Sequence, residues 1–463
     1  LPGEAGERGH SRGLRYCVTM LILVLWLALS SVAMVAGQTY NKEIKRKIEV
    51  KSQIARITTS YSATGVDGEY VFGLPMDKEQ NLSYLRARVD GKDLPLTHLP
   101  LEAGRDFALY SVDPSSRTDR SNLELEVLAV YTDVVRPYPL AIRQTERQLV
   151  RFDDYLHVPS PYTTGEQTTS VILGSLGAQN TESYTQEKVQ DRLIFGPYLE
   201  VAPWSTEPLF AHYVLHVPFA KATECLREIE VSAWGNIAVE EHYNLEHAGA
   251  KLVGGFNRVD YSKGGYKQST PSFRTLTGSL PLGARDIYYR DNIGNVSTSA
   301  VADRDHGVDL SIQTRYPLYG GWQTAWYQGY NLPTKEGLRH QGASYELQLQ
   351  FGVPFSVMWV EDLTVKVVLP EGAKDVKVSV PFELDDIKEA RRFTYLDSPL
   401  LGGRPVVILR KHNVVSDHNI NVTVTYTFER LFMLQEPLLL VLMYFGFFLI
   451  FMAMYRFDTR IRK

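Results

Sequence analysis

From Asn41 onward, apolar and polar residues alternate with a period of two, the spacing that turns one face of a β-strand to a core and the other to water. Leu123, Leu125, Val127, Ala129 and Tyr131 alternate with Glu124 and Glu126, and Leu363, Val365 and Val367 with Thr364 and Lys366. Val422, Val424, Tyr426 and Phe428 alternate in the same way with Asn421, Thr423, Thr425 and Thr427. Turn signals such as Asp90-Gly91 and Gly264-Gly265 fall between these runs. Helical spacing is weak, confined to short stretches near Thr185–Arg192 and Asp385–Arg392. The pattern predicts a mainly β body, built as antiparallel β-sandwich-like domains.

Two segments break the alternation. Leu438–Tyr455, LLLVLMYFGFFLIFMAMY, is eighteen residues without a charge and predicts one C-terminal transmembrane helix. At about 1.5 Å per residue it spans roughly 27 Å, a match to the thin bilayer of the endoplasmic reticulum. Glu436 and Pro437 suit its start, and Arg456, Arg460, Arg462 and Lys463 put its far end in the cytosol. Near the other end, Arg12 and Arg15 precede the apolar run Val18–Leu29, and Val35-Ala36-Gly37 supplies small residues for cleavage near Gln38. Residues 1–37 therefore read as a signal peptide carrying an N-terminal extension that need not be native, with Met20 as an alternative start. The expected topology is a lumenal or extracellular body, one anchor and a short cytosolic tail.

Nearly four hundred residues between leader and anchor exceed what one core usually organises. The expected division is 38–225 and 226–430 as two lumenal β domains, 431–437 as a juxtamembrane link, 438–455 as the helix and 456–463 as the tail. With 49 basic against 53 acidic residues and no long single-sign run, a nucleic-acid partner is not indicated. Cys17 leaves with the leader, so Cys225 stands alone and no internal disulfide can form in the mature chain. Cys225 reads as a buried small hydrophobe rather than a reactive thiol. Three sequons, at Asn81, Asn295 and Asn421, suit a lumenal body and are candidate N-glycosylation sites. Leu74-Pro75, Gly104-Arg105 and Tyr131-Thr132 recur in order as Leu369-Pro370, Gly403-Arg404 and Tyr426-Thr427. That echo predicts similar β units over residues 45–135 and 343–430.

Motifs for chemistry are missing. There is no phosphate-binding loop, dinucleotide fingerprint, nucleophile elbow or H-E-x-x-H. Glu240, Glu241, His242, Glu246 and His247 form the best metal candidate, but histidines five apart face opposite sides of a strand. Asp153 with Asp154, and Asp303 with Asp305, read as acidic turns. No catalytic, cofactor-binding or metal-binding residue is assigned, and no cofactor is expected. The conspicuous stretch is aromatic: Tyr316, Tyr319, Trp322, Trp326, Tyr327 and Tyr330, loosened by Gly320, Gly321 and Gly329. Such density fills a sandwich core or makes a contact surface for protein or sugar, with core packing expected for most of it. In the helix, Gly446 between Tyr444, Phe445, Phe447 and Phe448 offers a notch where a second helix can approach.

Several long segments, in one order, resemble the ribophorin I family. They are Phe195–Tyr198, Trp234–Glu241, Asp286–Thr298, the aromatic stretch Pro317–Pro333, Leu363–Lys374 and Met433–Leu438. The resemblance implies an accessory subunit of the endoplasmic-reticulum oligosaccharyltransferase, the complex that transfers a dolichol-linked oligosaccharide to asparagine in N-x-Ser/Thr. It implies a type I anchor in the endoplasmic-reticulum membrane and partnership with the catalytic and small membrane subunits, together with help in presenting nascent glycoprotein substrates. In that family catalysis belongs to a many-spanning subunit with a divalent metal and a W-W-D motif, which is not found here. Animal members carry a long cytosolic domain after the anchor, whereas this sequence runs to Lys463, so ribosome contacts of that domain are not carried over. The alternative class is a type I receptor or adhesion protein with a β-sandwich ectodomain. A membrane-tethered hydrolase would need a catalytic constellation.

Overall fold

A computed structural model describes residues 39–456, apart from short stretches at 101–105, 116–121, 175–177, 181–185, 190–191, 216, 265–270, 306, 395–396 and 398–401. The expected leader, residues 1–37, and all of the tail beyond Arg456 lie outside the described residues. The body is almost entirely β, as the alternation predicts. Its first half carries β1 (Tyr40–Val50), β2 (Ala55–Thr64), β3 (Tyr70–Pro75), β4 (Leu82–Val89), β5 (Lys92–Leu94), β6 (Leu96–His98), β7 (Phe107–Val112) and β8 (Asn122–Tyr131). It continues with β9 (Val135–Pro137), β10 (Ala141–Arg143), β11 (Leu149–Tyr155), β12 (Thr164–Leu173), β13 (Ala178–Asn180), β14 (Gln186–Val189), β15 (Arg192–Val201) and β16 (Pro208–Val214). The second half carries β17 (Ala220–Val231), β18 (Asn236–His247), β19 (Lys251–Val253), helix α1 (Arg258–Gly264), β20 (Ser272–Leu280), β21 (Arg285–Asp291), β22 (Gly294–Asn295), β23 (Ala300–Arg304) and β24 (Gly307–Tyr319). It closes with β25 (Gln323–Pro333), β26 (Leu338–Gln341), β27 (Ser344–Gln350), β28 (Trp359–Val368), β29 (Lys374–Ser379), β30 (Asp386–Arg392), β31 (Arg404–Val414), β32 (Asn421–Thr427) and the apolar helix α2 (Gln435–Arg456).

Residues 40–214 build an eight-stranded sheet, β14-β15-β12-β1-β2-β8-β4-β5, with a three-stranded sheet β3-β7-β6 and a four-stranded sheet β13-β16-β11-β9. Residues 220–427 repeat the scheme strand for strand: β30-β31-β28-β17-β18-β25-β21-β22, then β20-β24-β23, then β29-β32-β27-β26. In each half the first strand sits between a hairpin partner and a late parallel partner, β12 for β1 and β28 for β17. One irregularity corresponds as well, since a bulge falls at Asn41/Glu43 in the first hairpin and at Ala222/Glu224 in the second. Among the described residues, β10 and β19 stand outside the repeat, pairing in parallel across the two halves. We infer two domains of one topology that meet between Val214 and Ala220. The expected division at 225/226 falls inside β17, where Cys225 lies opposite both Tyr243 and Leu363.

The two smaller sheets of the first domain cover different parts of one face of the large sheet. Ile44, Tyr61, Tyr70, Phe72 and Leu125 pack beneath the three-stranded sheet, and Ile48, Val50, Phe152, Phe195 and Tyr213 beneath the four-stranded one. Between these cores lies Arg46. Its Nη2 is 2.9 Å from Asp154 Oδ2, its Nη1 donates to the Tyr155 carbonyl at 2.5 Å, and Lys78 Nζ reaches Asp154 Oδ1 at 2.9 Å. Burial alone would raise the Asp154 pKa, but Arg46 and Lys78 outweigh it and hold the carboxyl below its usual range. The equivalent position in the second domain is Arg227. In both domains the residue two before the arginine faces a buried tyrosine, Ile44 against Tyr61 and Cys225 against Tyr243, and a buried isoleucine follows two later. Arg227 donates to the Gly352 carbonyl just beyond β27, the counterpart of β11, and its Nε lies 3.4 Å from Glu241 Oε1.

The domains are held together mainly by polar contacts around a small apolar cluster of Ile54, Val130, Trp359 and Val415. Gln53 Nε2 donates to the carbonyls of Ala220 at 2.7 Å and Val357 at 3.0 Å, and Arg56 reaches Asp417 at 2.7 Å and Ser416 at 2.9 Å. Asn413 receives the Thr132 hydroxyl on its Oδ1 and the Ser83 hydroxyl on its carbonyl, each at 2.5 Å. Buried His418 packs edge-on against Tyr84 across the interface, and burial lowers its pKa to about 4, which keeps the ring neutral.

Three expectations are corrected. The stretches near 185–192 and 385–392 hold strands, not helices: β14 and β30 are edge strands, and in β30 sheet pairing to β31 overrides the helical preference of DIKEARR. Its charged, exposed residues suit an edge that must not recruit another strand. Among the described residues there is one short α-helix, α1, where Asn257 Oδ1 caps the Val259 N–H at 2.9 Å; it ends at Gly264 of the expected turn. The predicted echo is out of register, because 45–135 spans β1–β8 whereas 343–430 spans β27–β32, which hold different places in the sheets. The true counterpart of β1–β8 begins at Ala220.

Replacing Arg46 by methionine would leave Asp154 buried with Lys78 alone, and should cost about 3–5 kcal/mol of stability in urea unfolding. Removing all three charges together, as Arg46→Met, Lys78→Met and Asp154→Leu, should restore most of the loss. A single-variant cost below about 1 kcal/mol would contradict the role given to this cluster.

Candidate functional site

The candidate residues divide between buried structural groups and exposed surface positions. Asp153 and Asp154 point to opposite faces of β11: Asp153 is exposed and pairs with Arg151 at 2.8 Å, while Asp154 holds Arg46 and Lys78. The five candidates Glu240 to His247 all lie on β18 and divide by parity, as a strand requires. Glu241 is fully buried and accepts from Tyr243 Oη at 2.7 Å and Gln328 Nε2 at 2.8 Å. Glu240 and His242 face outward, 2.8 Å apart, and Glu240 also accepts the Tyr288 hydroxyl at 2.5 Å. His247 is buried, its Nδ1 accepting the Gly249 N–H at 2.9 Å, and burial lowers its pKa to about 4. Among the described residues, no three His, Cys, Asp or Glu side chains gather as a metal site. Cys225 is buried, and burial beside Glu241 pushes its thiol well up, away from the reactive thiolate. Asp303 and Asp305 are exposed at the end of β23 and its turn.

The aromatic stretch serves both expected roles. Tyr319, Trp326 and Tyr330 are buried, with Trp326 stacked on Tyr243 at 4.8 Å between ring centres. Tyr316, Trp322 and Tyr327 stay partly open. Tyr327 stacks on His242 at 5.4 Å, and Tyr316 borders a groove of about 640 Å³ with Asn244, Gln323 and Glu361.

The three sequons occupy different settings. Asn295 is exposed in the β21–β22 hairpin, where its Oδ1 accepts from Arg290 Nε at 2.8 Å. Asn421 is exposed at the start of β32, opposite Gln350. Asn81 lies at the domain interface, where its carbonyl accepts the Thr132 N–H at 2.9 Å and Ser83 is bound to Asn413.

Sequence reasoning missed the seat of α2. The 3-10 turn Arg430–Leu434 leads directly into the helix, and it is fastened to the second domain. Phe432 packs against Gly372, with the Lys374 ammonium 6.0 Å from its ring centre. Gln435 Nε2 donates to Glu371 at 2.5 Å, and the Trp234 indole N–H donates to Glu436 Oε2 at 3.2 Å. These groups border a cavity of about 380 Å³ with Glu230, Arg404 and Phe428. Arg404 is spent within the protein, on Glu230 and on the carbonyls of Leu369 and Val231. Beyond the seat, α2 is apolar all round and long enough to cross a membrane, and it contains the whole of Leu438–Tyr455. A Cβ placed on Gly446 would meet no atom within 4 Å, so the notch is open.

Comparison with known proteins gives one consistent answer. The family model described as Ribophorin I matches residues 39–455. The dolichyl-diphosphooligosaccharide–protein glycosyltransferase subunit 1 of Caenorhabditis elegans is 39% identical over 427 residues, covering 90% of this chain and 72% of that protein. Subunits 1A and 1B of Arabidopsis thaliana are each 36% identical, covering 94% and 88% of this chain and 72% and 90% of their own lengths. Among solved structures, an M1 zinc metallopeptidase from Deinococcus radiodurans shares 11% identity at a TM-score of 0.27, covering 45% of this chain and 42% of that one, a likeness too slight to carry an argument.

The seat makes a local expectation. Gly372 has φ +87°, and a Cβ there would come within 2.7 Å of the Phe432 ring. Gly372→Ala should therefore loosen the turn from the domain and speed limited proteolysis between Phe428 and Gln435 several-fold, while the thermal transition of the body stays in place. Cleavage at the wild-type rate would mean that Phe432 does not hold the seat.

Proposed function

Because the chain belongs to the ribophorin I family, we propose that it works as a non-catalytic subunit of the endoplasmic-reticulum oligosaccharyltransferase. The complex N-glycosylates nascent proteins at Asn-x-Ser/Thr from a dolichol-linked oligosaccharide. The body then lies in the lumen, α2 crosses the membrane once, and the basic residues after it face the cytosol. The observation that carries this reading is the extent of the family match, which runs through both domains and the apolar helix. An accessory role is supported by the use of Asp154, Glu241, His247 and Cys225 as buried structural groups. Catalysis then rests with another subunit, and this chain supports it and helps present glycoprotein substrates. A receptor or adhesion protein would share the topology but not the family.

The small membrane subunits and the catalytic chain are the partners for α2, with Gly446 as the point of closest approach. Exchanging Leu438–Tyr455 for an unrelated apolar helix of equal length should preserve membrane insertion and weaken co-purification with those subunits in mild detergent. Unchanged assembly would assign the association to the lumenal domains, and absence of the complex from wild-type material would sink the subunit reading itself.

Asn295 is the sequon best placed to carry a glycan, since its hairpin is exposed at a sheet edge. Asn421 is exposed within a paired strand, and Asn81 is engaged at the domain interface. Mass spectrometry of material from the native host should find Asn295 occupied; an unmodified residue there would mean that the hairpin is shielded during synthesis.

A further inference from the structure

Trp234 forms the tip of the β17–β18 hairpin and is 56% exposed. The turn itself has no need of an indole: Gly235 supplies the positive φ of +98°, and Ser232 Oγ accepts the Trp234 N–H at 3.1 Å. What fixes the ring is Glu436, in the first turn of α2, two residues before the apolar run begins at Leu438. Two residues of helix rise only about 3 Å. The headgroup layer is about 5–7 Å thick on each side of the hydrocarbon, so the indole and the mouth of the membrane helix lie at one level. Leu431 and Leu434 of the adjoining turn are 75% and 60% exposed. The seat of α2 is also braced, through Phe432 on Gly372 and Gln435 on Glu371, so the hairpin cannot swing freely relative to the helix.

We propose that the hairpin tip, with Leu431 and Leu434, docks into the lumenal headgroup layer of the bilayer that α2 spans, so that the second domain rests on the membrane. An indole that is apolar in body and polar at one edge has its most favourable place at such an interface. The Trp234–Glu436 hydrogen bond sets the ring's height, and the exposed leucines supply further apolar contact beside it. The proposal rests on α2 being a membrane span, as the family reading requires.

The test is tryptophan quenching in the full chain, reconstituted on its own into phosphatidylcholine vesicles whose acyl chains carry bromine near the headgroup end. Wild-type emission should be quenched, and Trp234→Phe should remove most of the quenched component. Trp204→Phe, in the first domain where the indole stacks on Phe107, should leave the quenched component unchanged. Near-ultraviolet circular dichroism serves to show that the Trp234 variant keeps its packing. Equal quenching in wild type and Trp234→Phe overturns the docking. Alkaline carbonate separates the two readings: retention in the membrane upholds the span whichever way the quenching falls, whereas release of the wild-type chain removes the span and the docking with it.

Discussion

Each domain is organised around a buried guanidinium. Arg46 and Arg227 occupy equivalent places on the first strand of their sheets, and each reaches across the core to a backbone carbonyl near the end of the facing strand. A buried cation tolerates few arrangements, because its charge must be balanced and its N–H groups need acceptors within the core. The first domain balances it across the sandwich with Asp154, a carboxylate shared with Lys78, and the second balances it from the neighbouring strand with Glu241. The geometry is shared while the counter-charge is not. Such a group fixes how the smaller sheet sits on the larger one, a choice that interchangeable aliphatic contacts leave open.

That registration carries through to the seat of the apolar helix. β17 begins beside the domain interface, where Ala220 accepts Gln53, passes Arg227 in the core and ends at the hairpin that bears Trp234. One strand thus links the first domain, the buried charge and the seat of α2. The polar character of the domain interface is matched to this arrangement. Gln53, Arg56, Asn413 and Ser83 are directional groups, which specify one angle between the domains more sharply than the small cluster around Trp359 could by itself.

The sequence made the strands, the apolar helix and the family legible, since each is written in local periodicity or in long unbroken segments. Leu123–Tyr131 and Leu363–Val367 alternate because each strand has one face in a core, and that face is what the periodicity reports. The duplication was glimpsed but misaligned, because the dipeptides that suggested it reflect strand ends and turns rather than equivalent places in a sheet. Equivalence resides in pairings such as β1 with β12, between residues more than a hundred positions apart, on which local pattern is silent. DIKEARR misled for a related reason: its composition favours a helix, and only its place at an open sheet edge makes a strand of it. Trp234 and Glu436 are 202 residues apart, so their meeting at the base of α2 could not be read from either segment alone.

The contact between Ser83 and Asn413 also has a meaning in time. The two residues are 330 positions apart, and a ribosome adds about 5–20 residues per second. The partner that engages Ser83 is therefore made on the order of tens of seconds after Ser83 itself. In the later part of that interval, once Val214 has been made, the first domain has all its strands while the surface around Asn81 is still uncovered. The domain interface thus acts as a delayed closure, and the surroundings of Asn81 differ between the growing chain and the finished fold.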